Sequence, residues 1–268
     1  MLHMHPVLKP PSPDAIHKNY PYATNIGHLL WLAHTIRPDI MFVVCLLTQF
    51  TNTYNDFHVH VMKCIFQFLA GTSHIDLVFD GKQPFNLVAY SDSDFGQQYG
   101  RKSISGSIVL LGGTVISWFS SKQHSVSLSM MEAECMALAK TAQEVISIRS
   151  MLYGLGYFIN RPTTILCDNA AAISFSNNPT HCTQAKHIDL QFQFVQDKIN
   201  NSSIVIGPIP SRDNLADAFT KALPYARFWR LANDYLGTRK VDYRQALGMH
   251  FPIWHYHDDL ETSIQSIR

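Results

Sequence analysis

Four acidic side chains stand at positions where a chain of alternating strands and helices would bring them together. Asp92 ends a strand-like run, Glu134 lies about one turn into a long helical pattern, and Asp168 ends a second strand-like run. Asp217 lies in the first turns of a late helical pattern. Because strand ends and helix starts meet at one edge of an α/β sheet, we expect these carboxylates to converge.

Four carboxylates at one place repel one another unless cations lie between them. Oxygen-only ligands select hard divalent ions such as Mg²⁺ or Mn²⁺. Two such ions about 4 Å apart can activate a water molecule and stabilise the leaving oxygen of a phosphodiester. The acids therefore predict a site for two Mg²⁺ ions, with Mn²⁺ as the alternative, and hydrolysis without a protein nucleophile.

The acids also have ordinary structural interpretations, which the sequence leaves open. Asp92 fits a turn residue at a strand end, and Asp168 with Asn169 fits an Asx turn or a helix cap. Asp217 fits the positive end of a helix dipole. Alternation along a strand puts Asp94 on the same side as Asp92, so the strand period does not choose between them.

Glu134 is a better candidate than its neighbour Glu132. Ser129 and Glu132 have the spacing of a capping box, which accounts for Glu132. Glu134 has no capping role, and it borders the core-facing stripe that contains Cys135 and Leu138. We therefore expect Glu134 to be the functional acid of this helix.

The composition excludes several classes of protein. Apolar residues make up 46% of the 268 residues and charged residues 15%, which excludes a disordered chain and a coiled coil and predicts one large or two small globular domains. A formal charge of +1 is too small for strong non-specific affinity to nucleic acid. Binding to phosphates must therefore come from a local group of residues or be assisted by another domain.

Cysteine spacing and hydropathy predict a soluble protein inside the cell. The five cysteines include no CxxC pair, which disfavours a disulfide framework and a zinc site and favours a reducing compartment. The longest apolar run, 40–47, is far shorter than the roughly 18 residues that a membrane span needs. The sequence does not choose between cytoplasm and nucleus.

The chain begins with helical patterns and continues as alternating strands and helices. Residues 1–19, rich in Pro and His, look like a loose lead-in. Helices are predicted at 25–35, 40–50 and 56–70. Strands are then predicted at 76–80, 86–91, 107–111 and 114–120, the last two joined by a Gly112-Gly113 turn.

The second half of the chain predicts parallel strand pairing. A helix over 129–154, a strand over 163–167, helices from about 170 and over 184–200, a strand over 203–207 and a helix from 213 that Pro224 interrupts follow in order. Such alternation adds parallel strands to the antiparallel ribbon, so the expected fold class is α/β with one mixed sheet. Residues 237–268 have no clear period and stay unassigned.

Several segments, in order over roughly 85–223, resemble the ribonuclease H domain of copia-type retrotransposon polyproteins. The segments are Tyr90-Ser-Asp-Ser-Asp-Phe-Gly, Arg101-Lys-Ser-Ile-Ser-Gly, Val115-Ile-Ser-Trp, Ser121-Lys-Gln, Met131-Glu-Ala-Glu-Cys-Met-Ala-Leu, Cys167-Asp-Asn, Lys186-His-Ile-Asp and Leu215-Ala-Asp-Ala-Phe-Thr-Lys. Each segment is weak alone, but their common order makes the resemblance specific.

The preceding helices resemble the end of the same family's reverse transcriptase. The matching segments are Tyr20-Pro-Tyr to Ile26-Gly, Arg37-Pro-Asp-Ile and Phe68-Leu-Ala-Gly-Thr. The resemblance implies a reverse transcriptase end over 20–80 and a ribonuclease H domain over 81–236. The polymerase palm, with its paired aspartates, should precede these helices, so we expect this chain to be a fragment of a polyprotein.

The resemblance implies a fold, an activity and a set of site residues. The fold is a five-stranded ribonuclease H-like sheet, three strands antiparallel and two parallel, with helices on both faces. The activity is cleavage of the RNA strand of RNA–DNA hybrids, with Mg²⁺ held by the family's four catalytic acids. Those acids carry over onto Asp92, Glu134, Asp168 and Asp217, the acids selected by placement.

The implied partners are the RNA–DNA hybrid and a reverse transcriptase polymerase domain, with no membrane. Five residues are candidates for contacts with the hybrid backbone, although solvated loop charges are an equal interpretation of each. They are Arg101, Lys102, Ser103, Lys122 and Asn169. His187, within the Lys186-His-Ile-Asp signature, fits a helix-start histidine better than a catalytic one.

Two further features of the sequence are not assigned a function. Tyr256-His-Asp-Asp resembles the polymerase's Tyr-x-Asp-Asp turn but follows the ribonuclease H segment instead of preceding the helices, so it lacks the context that chemistry would need. His250, His255 and His257 suggest a metal site, but a solvated tail is the preferred interpretation.

Two alternatives to an active ribonuclease H stay open. A silent retroelement remnant or a co-opted domain that binds hybrids or proteins would keep the fold without the reaction. An integrase, exonuclease or resolvase would use a similar acid cluster on the same fold.

Overall fold

The computed structural model describes residues 20–79, 81–98, 100–177 and 186–236, with the backbone alone at 186–189. The lead-in over 1–19, the unassigned tail over 237–268 with its Tyr256-His-Asp-Asp segment and histidines, and the side chains of Lys186-His-Ile-Asp lie outside the described residues.

A five-stranded mixed sheet forms the centre of the structure, with the strands in the order β3-β2-β1-β4-β5. β1 pairs antiparallel with β2, and β2 pairs antiparallel with β3. β4 pairs parallel with β1 and with β5. The strands are β1 Leu87–Asp94, β2 Ile104–Leu111, β3 Thr114–Lys122, β4 Thr163–Cys167 and β5 Ile204–Pro208. The predicted three antiparallel and two parallel strands are confirmed.

Seven α-helices accompany the sheet in the described residues, most of them at the predicted places. They are α1 Tyr22–Thr35, α2 Met41–Thr48, α3 Asp56–Gly71, α4 Met130–Gly154, α5 Ala170–Asn177, α6 Lys186–Asn200 and α7 Tyr225–Leu236. None of these described helices has the length and apolar character needed to cross a membrane.

Hydrophobic side chains on alternate strand positions cover both faces of the sheet. Leu87, Ala89 and Val109 belong to one buried cluster, which includes residues of α4 and α6. Ile108 and Leu110 belong to a second cluster, which includes residues of α1, α2, α3 and α7. The alternation follows from the two-residue period of a strand, and the prediction of helices on both faces is confirmed.

The helices before the sheet pack directly onto it. The indole N–H of Trp118 in β3 donates to the carbonyl oxygen of Ala33 in α1 at 2.7 Å. Lys122 Nζ donates to Gln49 Oε1 at 2.7 Å. The second hydrophobic cluster thus runs across the expected division at residues 80 and 81, and that division stays a prediction.

The cap that starts α4 differs slightly from a standard capping box. Ser129 Oγ accepts the Glu132 N–H at 3.1 Å, as the spacing predicts. Glu132 Oε2 accepts the backbone N–H of Leu128 at 2.7 Å, where a standard box would use the N–H of Ser129. The cap therefore accounts for Glu132 and leaves Glu134, one turn into the helix, available for the site.

The strand predicted over 76–80 is wrong for the part that the structure describes, since 76–79 form no strand. Ile75 is buried in the second hydrophobic cluster, and this fixes the segment against the helices. The Val78 N–H then donates to the carbonyl oxygen of Leu236 at the end of α7, at 3.1 Å.

The predicted α-helix from Asp213 is also wrong. Two short 3₁₀ helices, Ser211–Asp213 and Leu215–Phe219, take its place, and α7 begins only after Pro224. Asn214 is extended between them, and its Oδ1 accepts the Ala216 N–H at 3.1 Å. Its side-chain amide also donates to the carbonyl oxygen of Ser91 in β1 at 3.1 Å, so this segment is fixed to the sheet.

Gly106 allows this fixed segment to lie close to β2. Gly106 is the cross-strand partner of Asp92. A Cβ atom built at Gly106 would lie 2.6 Å from Thr220 Cγ2 and 2.9 Å from Phe219 Cβ. It would also lie 3.1 Å from the carbonyl oxygen of Ala216. The missing side chain therefore makes room for the segment beside Asp92.

We predict that Gly106→Ala lowers the free energy of unfolding by roughly 2–3 kcal/mol, because the added methyl group overlaps buried atoms that cannot move freely. Urea unfolding followed by circular dichroism measures the change. The matched control is Gly27→Ala in α1, where an added Cβ has no neighbour within 4 Å. That control should be neutral or stabilise by roughly 0.5–1 kcal/mol. Equal stability of the two variants would contradict the close packing at Gly106.

Candidate active site

Strand register places Asp92 and Asp168 side by side. β1 pairs with β4 through Tyr90 and Leu166, and continuing this parallel register by two residues brings Asp92 level with Asp168. β4 ends at Cys167, so Asp168 lies just beyond the strand. Asp92 was predicted at a strand end, but β1 continues to Asp94 because its last residues still pair with β2.

Helix α4 brings Glu134 to the same place. Glu134 is buried, and its Oε1 accepts the backbone N–H of Ser93 at 3.2 Å. Carboxylate oxygens of Asp92, Glu134 and Asp168 all lie within 4.8 Å of one another. Asp92 is also buried, whereas Asp168 is partly exposed, so the group opens to solvent on the Asp168 side.

Asp217 lies beside this group of three but is held by basic side chains. Its Oδ1 is 2.7 Å from Lys221 Nζ, and its Oδ2 pairs with Arg227. The same Lys221 Nζ is 3.4 Å from Asp92 Oδ2. The structure thus brings three of the four predicted acids together and connects the fourth to them through an ammonium group.

Burial leaves these carboxylates poorly able to carry charge in the absence of a cation. Burial first, and then the neighbouring Asp217 and Asp168, raise the pKa of Asp92 to about 7, although Lys221 opposes the rise. Burial and the nearby Asp92 raise the pKa of Glu134 to about 8. A divalent cation would remove the cause of both shifts, since it replaces lost hydration and offsets repulsion.

The donor atoms fit a hard divalent ion. Asp92, Glu134 and Asp168 offer carboxylate oxygen, which is the ligand type that Mg²⁺ and Mn²⁺ prefer. Cys167 Sγ lies 3.9 Å from Glu134 Oε2, but burial and the adjacent acids raise the pKa of this thiol. The raised pKa disfavours a free thiolate beside the three acids.

The structure distinguishes Asp92 from Asp94, which the strand period could not do. Asp94 is half-buried on the same side of β1, and burial raises its pKa to about 6. It is not in the group of three converging acids. Asp94 therefore serves as a comparison residue for tests of the site.

Three predicted backbone-contact residues lie in or near the turn between β1 and β2. Arg101 is exposed and has a positive φ of 59°, and Lys102 is partly exposed. Ser103 is buried, and its Oγ accepts the Gly96 N–H at 3.1 Å. The turn thus presents two basic side chains outward, while the Ser103 hydroxyl holds the turn itself.

The other two candidates already have partners within the chain. Lys122 Nζ donates to Gln49, as described above. Asn169 Oδ1 accepts the Ala172 N–H at 3.0 Å, which is the helix-cap role considered from the sequence. Contacts of either side chain with nucleic acid stay predictions.

Sequence reasoning did not single out three residues that orient the acids. Thr220 Oγ1 donates to Asp92 Oδ2, Lys221 lies between Asp92 and Asp217, and Arg227 pairs with Asp217. Thr220 and Lys221 belong to the Leu215-Ala-Asp-Ala-Phe-Thr-Lys segment, and their three- and four-residue spacing from Asp217 was a usable signal. Arg227 lies beyond Pro224, where no local pattern connects it to the site.

Curated proteins similar to this chain include two plant transposon proteins. The retrovirus-related Pol polyprotein from transposon RE1 of Arabidopsis thaliana is 35% identical over 219 residues, 81% of this chain. That from transposon TNT 1-94 of Nicotiana tabacum is 32% identical over 209 residues, 78% of this chain. The chain spans only 15% and 16% of these two proteins. No family model matches the chain.

One similar protein is named as a secreted effector, and one solved structure shows a weak likeness to this chain. The secreted RxLR effector protein 161 of Plasmopara viticola is 36% identical over 130 residues, 48% of this chain and 92% of that protein. The N-terminal ribonuclease H domain of Rv2228c from Mycobacterium tuberculosis covers 56% of this chain and 98% of that one, at 12% identity and a TM-score of 0.39. That likeness is too weak to indicate a reaction or a substrate.

We predict that Glu134→Gln stabilises the metal-free protein, and increasingly so at higher pH. The folded state holds the Glu134 proton more tightly than the unfolded chain does, since its pKa is raised from 4.5 to about 8. The free energy of unfolding of the wild type therefore falls as the pH rises through this range. The glutamine of the variant does not ionise, so the variant does not lose this stability. Thermal unfolding in EDTA should show little difference at pH 5 and a gain of roughly 2 kcal/mol at pH 8.

Glu132→Gln is the control on the same helix, because Glu132 is buried but accepts the Leu128 N–H. It should be neutral or destabilising at both pH values. If the Glu134→Gln variant is no more stable than wild type at pH 8, burial of this carboxylate does not lower the free energy of unfolding, and the prediction is wrong.

Proposed function

Because this chain belongs to the family of retrovirus-related Pol polyproteins of transposons, we propose that it is a ribonuclease H that cuts the RNA strand of RNA–DNA hybrids. The observation that carries the proposal is the convergence of Asp92, Glu134 and Asp168 within 4.8 Å at one edge of the sheet. Since the chain spans about 15% of the RE1 protein, the proposal concerns this segment of such a polyprotein and no other activity of the whole.

In the proposed reaction, Asp92, Glu134, Asp168 and Asp217 would hold two Mg²⁺ ions. When bound, such ions would supply an activated water and offset charge on the leaving oxygen. The attacking water would lose a proton to solvent as its oxygen bonds to phosphorus, the bond from phosphorus to the 3′-oxygen would break, and the 3′-oxygen would take up a proton from solvent. The products are a 3′-hydroxyl and a 5′-phosphate.

The chain's own groups fix the acids for this reaction. The Thr220 hydroxyl holds one oxygen of Asp92, and the Ser93 N–H holds one oxygen of Glu134. Such outer contacts fix the orientation of ligand oxygens and so reduce the cost of ordering them. Asp168 is the most exposed of the three acids, so the scissile phosphate would approach from its side.

The proposed substrate is recognised by shape, not by sequence. A protein distinguishes a hybrid duplex by its groove shape and its 2′-hydroxyl groups, and reading bases would prevent the degradation of an arbitrary template. Arg101 and Lys102, in the connection between β1 and β2, are exposed or partly exposed and are the candidates for phosphate contacts. With a formal charge of +1, the chain would hold the hybrid weakly, and a polymerase domain would supply most of the binding.

A co-opted binding domain is the second candidate function. It is favoured by the similarity to the Plasmopara viticola protein, which is named as a secreted effector and of which the match covers 92%. The presence of all four acids argues against it, because a domain that only binds would not need to retain repelling carboxylates in a buried site.

We predict that the purified protein cuts an RNA–DNA hybrid in the presence of Mg²⁺ and that Asp168→Asn lowers the rate roughly 100-fold or more, since one ligand charge is lost at the metal site. Gel analysis of end-labelled hybrid measures both rates. Asp94→Asn is the matched control, because Asp94 lies close by on β1 but outside the acid group. It should stay within about threefold of wild type.

The same assay separates the alternatives. Activity that survives Asp168→Asn would refute the ribonuclease H assignment, and absence of cleavage with retained hybrid binding would favour a co-opted domain. Duplex DNA and single-stranded RNA serve as further substrates, and preferential cutting of either would favour another nuclease of the same fold.

We predict that hybrid binding by this chain is weak and strongly salt-dependent, and that it becomes at least about tenfold tighter when a polymerase domain from a related polyprotein is joined to its N-terminal end. Fluorescence anisotropy with labelled hybrid at two salt concentrations measures the dissociation constants. Equal affinities with and without the added domain would contradict the proposed contribution of the polymerase domain to hybrid binding.

A further inference from the structure

The ammonium group of Lys221 lies between two acids of the site. Its Nζ is 2.7 Å from Asp217 Oδ1 and 3.4 Å from Asp92 Oδ2. Both carboxylates are buried, whereas the lysine side chain is 35% exposed. A cation of the protein itself therefore occupies the space between Asp92 and Asp217, and it enters that space from the solvent side.

The backbone around Lys221 is fixed by contacts with the sheet, but its side chain can rotate about several single bonds. The segment before it is fixed to β1 by the Asn214 amide and packs against β2 at Gly106. Asp217 has a second cationic partner in Arg227, which also donates to the carbonyl oxygen of Ser211 at 2.6 Å. Asp217 would thus remain paired if the lysine side chain turned outward.

Lys221 also accounts for the position of Asp217 outside the group of three. Asp217 Oδ1 is paired with the ammonium group, which also lies 3.4 Å from Asp92 Oδ2. A divalent ion bound by both Asp92 and Asp217 would need the same space, and it would be repelled by the lysine charge at this short distance. The lysine and a second metal ion are therefore mutually exclusive between these two acids.

We propose that Lys221 is a positioning residue that occupies the second-ion position between Asp92 and Asp217 and is displaced when a second divalent ion binds. The inference rests on the proposed function, because it assumes two ions at this site. In the ion-free protein the single charge of the lysine offsets part of the negative charge of the two buried acids, and the lysine leaves both carboxylates when the second ion binds. Lys221 thereby raises the concentration of free ion needed to complete the site.

The first test uses the wild-type protein and follows the reactivity of the Lys221 amine. An amine-acylating reagent is added at pH 7 with and without saturating Mn²⁺, and mass spectrometry measures acylation at each lysine. We expect Mn²⁺ to increase the acylation rate of Lys221 at least about fivefold, because the ammonium group loses its carboxylate partners. The exposed Lys63 of α3 is the internal control and should not respond. An unchanged or slower rate at Lys221 overturns the inference.

The second test measures Mn²⁺ binding by calorimetry in the absence of nucleic acid. Lys221→Met should lower the dissociation constant of the weaker ion about tenfold, because a competing charge is removed while the apolar stem is retained. Lys221→Arg, which keeps the charge, should stay within about threefold of wild type. Lys63→Met changes the net charge equally and should leave both constants unchanged. Equal constants for Lys221→Met and wild type overturn the inference.

The two tests separate this inference from the proposed function. If wild type binds no Mn²⁺ and cuts no hybrid, both are overturned. If wild type binds Mn²⁺ and cuts hybrid while Lys221 reactivity does not respond to the ion, only the role of Lys221 is overturned. If Lys221→Met does not fold, as circular dichroism would show, the acylation of wild type decides the question by itself.

Discussion

Repulsion among buried carboxylates is the constraint on which this structure depends. Asp92 and Glu134 are buried within a few ångströms of each other and of Asp168, where water cannot screen their charges. The fold must therefore hold them together against a force that separates them, and the sheet register and the cap of α4 do so. Without a cation, the repulsion and burial of these acids lower the free energy of unfolding. This is the physical reason for associating the site with metal chemistry.

The segment after β5 contributes as much to the site as the sheet does. It supplies a hydroxyl group to Asp92, a buried acid in Asp217 and an ammonium group between the two acids. It can reach them because Gly106 leaves no side chain in its path. One glycine in the neighbouring strand is thus a condition for the electrostatic arrangement of several residues that are distant in sequence.

The sequence predicted the sheet and the three converging acids, because strand alternation, helical periodicity and strand ends are local patterns that this fold preserves. The strand predicted at 76–80 is wrong over its described residues, because burial of Ile75 outweighs a strand-like run. The α-helix predicted from Asp213 is also wrong, because extended Asn214 and then Pro224 leave room only for two short 3₁₀ helices. Sequence reasoning did not single out Lys221, although the four-residue spacing from Asp217 was a usable signal, and it did not find Arg227, which no local pattern connects to the site. Asp217 was selected as an acid, but its engagement by basic groups was not foreseen.

The hydrogen bond between Trp118 and the carbonyl oxygen of Ala33 has a practical consequence for anyone who produces the sheet without the preceding helices. β3 is an edge strand, and α1 and α2 belong to the layer that shields the apolar side of the sheet beside it. A shortened protein beginning at residue 81 would expose that apolar surface to water and would lose the hydrogen bond from the Trp118 indole to Ala33. Aggregation during purification would then result from the choice of boundary and not from a defect of the sheet itself.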